Sequence, residues 1–126
     1  MHTTVIVPFE FYASHSLSVR EKPHNHYWTL KLFVRGVPKD GMVMDILKLR
    51  EITDPYVQKL ADTYLNENPA LTKEQAACPT CEMLAAYFYT QVSQDLKTFD
   101  VQLKAVEVEL RELEGKEWGA ARLEVD

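Results

Sequence analysis

The sequence predicts an α+β domain: a four-stranded antiparallel sheet carrying two helices on one face. Two alternating apolar runs open the chain. Odd positions read Val5, Val7, Phe9, Phe11, Ala13, His15, and even positions read His24, His26, Trp28, Leu30, Leu32, Val34. Strand side chains alternate faces with period two, so each run describes a strand with one buried face. The middle of the chain carries apolar residues at helical spacing, and residues 101–110 return to alternation. Two strands, two helices and two further strands, in that order, put the helices together on one side of the sheet.

The elements follow in order. Residues 16–23 join the first two strands as an antiparallel hairpin. Gly36 to Gly41, with Pro38, Lys39 and Asp40, form a turn cluster. Asp45 is a natural N-cap for the helix that follows. Ile46, Leu47, Leu49, Ile52, Tyr56, Val57, Leu60, Tyr64 and Leu65 recur at helical spacing over the next twenty positions. Pro55 is expected to kink or break that helix near Thr53. Residues 66–79 read as loop, with a short helical turn at 72–77. Pro79 and Thr80 begin a second amphipathic helix reaching about residue 96, with Leu84, Tyr87, Phe88, Gln91 and Val92 on one face. Gly115 marks a turn after the third strand, and residues 118–125 form a last edge strand.

At 126 residues the chain is expected to be one domain, 1–126, with a modest core. A net charge of −5 argues against broad nucleic-acid binding, which needs cationic side chains to neutralise phosphates. It leaves room for a phosphorylated small molecule held by a local basic cluster. No apolar stretch approaches the ~20 residues of a membrane span, and the N-terminus lacks a signal-peptide pattern. The cytoplasm is therefore the expected compartment. Cys78 and Cys81 are the only cysteines. A single C-x-x-C without a second ligand pair reads either as two reduced thiols or as a redox pair at a helix start.

Three histidines carry the chemistry. His15, His24 and His26 all lie on the apolar faces of their strands, at the ends joined by residues 16–23. Pairing the strands as a hairpin converges the three imidazoles beside the loop. Three imidazoles with an open fourth position are the ligand set of a catalytic Zn2+ site.

Five blocks in sequence extend this reading. They are Phe11-Tyr12-Ala13-Ser14-His15, His24-Asn25-His26, Gly41-Met42-Val43-Met44-Asp45, Tyr64-Leu65-Asn66 and Pro79-Thr80-Cys81-Glu82. On these blocks the chain resembles the 6-pyruvoyltetrahydropterin synthase / 6-carboxytetrahydropterin synthase family over nearly its whole length. The resemblance implies the tunnelling fold, whose small subunits join their sheets into a barrel, commonly as a hexamer with active sites between subunits. It implies zinc on His15, His24 and His26, and Glu82 and Thr80 of the P-T-x-E block at the substrate. It also implies lyase chemistry on dihydroneopterin triphosphate or a related pterin, and a place in queuosine or folate metabolism.

The departures from the family pattern bear on mechanism. The catalytic Cys expected a few residues before His24 is absent, the matching positions being Val19, Arg20, Glu21, Lys22 and Pro23. The family's Asp-His pair falls on Ala61 and Asp62. Its pterin-anchoring glutamate falls near Leu110, with Glu109 and Glu112 flanking. Glycine of the H-x-H block is replaced by Asn25. Glu21 and Asp62 are thus the candidate bases, and Glu109 and Glu112 the candidate ring anchors. One branch of the family uses a glutamate near the position of Glu21 in an aldolase-like cleavage. Glu21 reads equally as a solvated charge in the run Arg20-Glu21-Lys22. Two functions follow: a zinc-dependent carbon–oxygen or carbon–carbon lyase with altered proton-transfer groups, or a zinc-containing member that binds a pterin or purine-like ligand without this catalysis.

Overall fold

β1 (Thr3–His15) and β2 (His24–Gly36) pair antiparallel along their full length, from Thr3 opposite Gly36 to His15 opposite His24. This computed structural model describes residues 1–18 and 20–126; Val19, the first of the loop positions aligned with the family Cys, lies outside the described residues. Alternation works as the sequence requires. Val7, Phe9, Phe11 and Ala13 of β1 and Trp28, Leu30, Leu32 and Val34 of β2 share one buried face. β4 (Gln102–Arg111) adds to β2 and β5 (Glu117–Glu124) to β4, both antiparallel.

The sheet has five strands rather than the expected four, in the order β3-β1-β2-β4-β5. The extra strand is β3 (Thr63–Tyr64), a two-residue parallel pairing to Ala13 and Ser14 of β1. Its existence is explained by Asp62, which takes a left-handed conformation (φ 59°) and donates its backbone N–H to the Tyr12 carbonyl at 2.6 Å. That reversal ends the first helix and lays the chain against the edge of β1. The helical spacing of Tyr64 and Leu65 therefore does not make helix. Leu65 still reaches the core, from a 3-10 turn at Leu65–Glu67.

The expected break at Pro55 does not occur either. α1 (Ile46–Leu60) runs through it, capped by Asp45, whose side chain accepts from Leu47 N–H at 2.9 Å. Proline removes the donor that would reach the Glu51 carbonyl, but both residues are exposed, so water satisfies that carbonyl. Three α-helices form, one more than the expected two. α2 (Lys73–Ala77) is the short turn at 72–77, held by a reciprocal capping box between Thr72 and Gln75. α3 (Cys81–Asp95) buries Leu84, Tyr87, Phe88 and Val92 and is capped by Thr80, which accepts from Met83 N–H at 3.2 Å.

The helices cover the face bearing the even residues of β2. The opposite face carries Tyr12, Tyr27, Lys31, Glu107 and Arg122, and Arg122 donates to Glu107 at 3.0 Å. No helix among the described residues is long and apolar enough to cross a membrane.

Candidate metal centre

The β1–β2 register sets the site. His15 stands opposite His24 and Ala13 opposite His26, so all three imidazoles emerge on the helix-bearing face at one end of the sheet. One nitrogen from each lies within 4.8 Å of the others. Trp28, fully buried, lies beneath them with its ring centroid 5.1 Å from that of His15. Its indole N–H donates across the hairpin to the Ala13 carbonyl at 3.2 Å, which fixes the floor of the site.

The outer partners of each ring decide which nitrogen faces inward. His15 Nδ1 is 2.8 Å from the Pro79 carbonyl, and His26 Nδ1 is 3.3 Å from the Arg111 carbonyl. A carbonyl only accepts, so both Nδ1 atoms carry the proton and both Nε2 atoms present lone pairs. His24 is the reverse: its Nε2 hydrogen-bonds Glu21 Oε1, leaving Nδ1 inward. His24 Nδ1 and His26 Nε2 then oppose each other at 3.0 Å, lone pair to lone pair. Two acceptors at that distance repel unless a proton or cation lies between them. The donor set thus fits a metal ion, each ligand being oriented by a second hydrogen bond. Burial disfavours the charged form of His15 and His26 and holds both below the ordinary histidine range, in the neutral state a metal ligand requires.

Glu21 is the nearest acid to the cluster by this geometry. The His24 hydrogen bond holds its carboxyl below the usual range, and the Glu21 amide donates to the Ser18 carbonyl at 3.2 Å. Asp62 is placed elsewhere, exposed, lining a cavity of about 270 Å³ with Tyr12, Ser14, Asn25 and Tyr64 at the β1 edge. The two candidate ring anchors are placed differently. Glu109 pairs with Thr29 on the face away from the histidines, buried against Arg111, with Oε1 2.8 Å from Nη2 but not aligned as a hydrogen bond. Glu112 lies just past the end of β4, and its carboxylate accepts from the indole of Trp118, whose ring centroid is 5.1 Å from that of His26. Thr80 spends its hydroxyl on the helix cap, and Glu82 is exposed in the first turn of α3, three residues after Pro79, whose carbonyl orients His15.

Sequence reasoning missed the supports. Pro79 and Arg111 act through backbone carbonyls, which no side-chain pattern reports. Asn66 was legible as part of a block but not by role. Its Oδ1 accepts from Ser16 N–H at 2.9 Å and its Nδ2 donates to the Ser16 carbonyl at 2.7 Å. One amide thus satisfies both backbone groups of the buried residue next to His15, as a further strand would. Tyr64 adds a hydroxyl bond to Ser16 Oγ. Asn66→Ala is expected to cost about 2 kcal/mol by leaving those groups unpaired, and to weaken divalent-cation affinity about 10-fold or more by freeing His15. Thermal melting and cation titration check the two effects.

Within the C-x-x-C pair, Cys81 supplies no ready thiolate. Both cysteines are free and half-buried, and burial pushes the Cys81 thiol up to about 11. At pH 8 iodoacetamide is expected to alkylate Cys81 about tenfold or more slowly than free cysteine, because so little thiolate is present. Peptide mapping of the adduct over time measures it; a rate matching free cysteine contradicts the apolar setting.

Comparison with known proteins agrees with this geometry. The family model for 6-pyruvoyl tetrahydropterin synthase matches residues 4–120. A dihydroneopterin monophosphate aldolase from Pyrococcus furiosus is 31% identical over 121 residues, covering 94% of this chain and 96% of that protein. Among solved structures, Caenorhabditis elegans 6-pyruvoyl tetrahydropterin synthase superposes with a TM-score of 0.75 at 18% identity, over 100% of this chain and 97% of that one. A Plasmodium vivax 6-pyruvoyltetrahydropterin synthase, in a variant that replaces a catalytic glutamate by alanine, gives 0.66 at 16% identity over 99% of each chain. Those two likenesses speak to the fold. The matched family model and the Pyrococcus relative, together with the histidine cluster on its hairpin, make this chain a member of the 6-pyruvoyl tetrahydropterin synthase family.

Proposed function

We propose that the chain is a zinc-dependent lyase that cleaves the side chain of a phosphorylated dihydroneopterin in an aldolase-like reaction. The observation that carries this is the arrangement of three inward-facing imidazole lone pairs with a carboxylate, Glu21, hydrogen-bonded to one of them. The 31% identical relative named for an aldolase reaction supports the carbon–carbon bond over the carbon–oxygen bond as the one broken. The absence of a cysteine before His24 supports it too, since the thiol of synthase-type family members has no counterpart there.

His15, His24 and His26 would hold zinc, which when bound supplies Lewis-acid polarisation of substrate oxygens. The rest of the reaction falls to side chains. The second oxygen of Glu21 takes the proton of the hydroxyl on the second side-chain carbon. The bond between the first and second carbons breaks, and its electron pair passes to the first carbon and into the ring. The second carbon leaves as a two-carbon phosphoaldehyde. The first carbon takes up a proton and remains as a hydroxymethyl group. Glu112, bonded to Trp118 beside His26, accepts from ring N–H groups, and Glu82 lies at the same end of the sheet. Asp62, across the edge of β1, serves the site of an adjoining subunit if subunits close into a ring, the arrangement that also removes the open edges of β1 and β5.

Product analysis with dihydroneopterin monophosphate and triphosphate tests the reaction. The expected products are a 6-hydroxymethyl dihydropterin and the two-carbon aldehyde. Glu21→Gln is expected to lower turnover about 10²- to 10⁴-fold with about one zinc per subunit retained, and His24→Ala to lose zinc and turnover together. A pyruvoyl product contradicts the aldolase reading, and zinc-loaded protein that binds pterin without any turnover leaves the non-catalytic member in its place. Light scattering is expected to give a hexamer; a monomer at micromolar concentration removes the role given to Asp62.

A further inference from the structure

Trp118 is the most exposed aromatic side chain among the described residues. The chain has two tryptophans; Trp28 is 0% exposed in the core, and Trp118 is 58% exposed. Its position is built rather than incidental. Leu110 pairs with Gly119 and Arg111 with Glu117, so Trp118 is the extra residue of a bulge between β4 and β5. Bulges of this kind bend a strand and re-aim a side chain. Here the indole is turned toward the histidine cluster, with ring centroids 5.1 Å apart at 60° to His26. It is tethered there by the bond from its N–H to the Glu112 carboxylate. The next residue is Gly119, and a Cβ there would meet nothing within 4 Å, so the space beside the indole is open.

From this placement we infer that Trp118 is a ligand-binding residue, whose indole stacks on the flat heterocycle of the substrate beside the metal centre. The inference rests on the pterin reading above and adds to it the group that grips the ring face. A planar, nitrogen-rich bicycle presents one face for stacking and an edge of N–H donors. Trp118 offers a π-face, and Glu112, bonded to it, offers a carboxylate for the edge. The tether makes the two act together: the indole N–H occupies one carboxylate oxygen and leaves the other for the ligand.

Calorimetric titration of zinc-loaded protein with neopterin, an oxidised pterin that carries the same trihydroxypropyl side chain, tests this. Trp118→Ala is expected to weaken neopterin about 10- to 100-fold, and Trp118→Phe by about threefold or less, since a phenyl ring keeps most of the stacking face. Zinc stoichiometry and the emission of buried Trp28 stay unchanged in both, which separates lost stacking from lost fold. Neopterin also protects Trp118 of the wild type from acrylamide quenching. Equal affinity in wild type and Trp118→Ala overturns the inference while the pterin reading stands, and a smaller particle mass for that variant then assigns Trp118 to a subunit contact. Failure of the wild type to bind neopterin at millimolar concentration overturns the pterin reading itself and the inference with it.

Discussion

The register between β1 and β2 is the constraint on which the site depends. Thirteen residue pairs, from Thr3 with Gly36 to His15 with His24, lock the two strands. A slip of one residue in either strand would send its histidines to the far face, because side chains alternate with period two. What prevents the slip is burial of Val7, Phe9, Phe11, Trp28, Leu30 and Leu32 beneath α1 and α3. The same alternation that builds the core therefore aims the ligands. Trp28 ties the two roles together, packing stacked on Phe11 while closing the base of the histidine cluster.

Register alone brings the rings close; it does not set which nitrogens face inward. For His15 and His26 that is done by segments distant in sequence, and for His24 by Glu21. The Pro79 carbonyl, at the start of α3, holds His15, and the Arg111 carbonyl, at the end of β4, holds His26. Each depends on its own local device: the Thr80 cap fixes where α3 begins, and the bulge at Leu110/Arg111 fixes where β4 ends. The site is a product of the whole fold, since helix start, strand end and hairpin must all be in place for three lone pairs to meet.

How much of this could be read from sequence follows from which features have a period. The two long strands, the capped helices and the three histidines were legible, because alternation and capping residues are local. Pro55 misled because proline's cost depends on whether the orphaned carbonyl meets water, and on this exposed face it does. Tyr64 and Leu65 misled because a helical spacing of apolar residues is also met by a chain that reverses at Asp62 and returns to the same core. Glu109 and Glu112 were indistinguishable as flanks of Leu110, yet Glu109 faces away from the histidines within β4, whereas Glu112 lies just past its end and bonds Trp118 beside His26. Trp118 carries its signal in composition: a lone bulky aromatic in an edge strand beside Gly119, Ala120 and Ala121 finds no large neighbour within its own strand segment.

In the proposed reaction the base is constrained by the same network. A general base works best when its pKa lies near the working pH. Burial moves Cys81 far above that range, and the hydrogen bond from His24 moves Glu21 below it. The thiol is thus protonated and inert at neutral pH, while the carboxylate is ionised but weak. A weak base suffices only where the proton it receives has already been made labile, which is the Lewis-acid polarisation that zinc held by the three imidazoles would supply. Glu21 carries a second duty in the same bond, because its Oε1 sets the tautomer of His24. Orientation of the ligand and weakness of the base are therefore one interaction seen from its two ends. Strengthening Glu21 as a base by removing the His24 contact would release the imidazole that the site needs held.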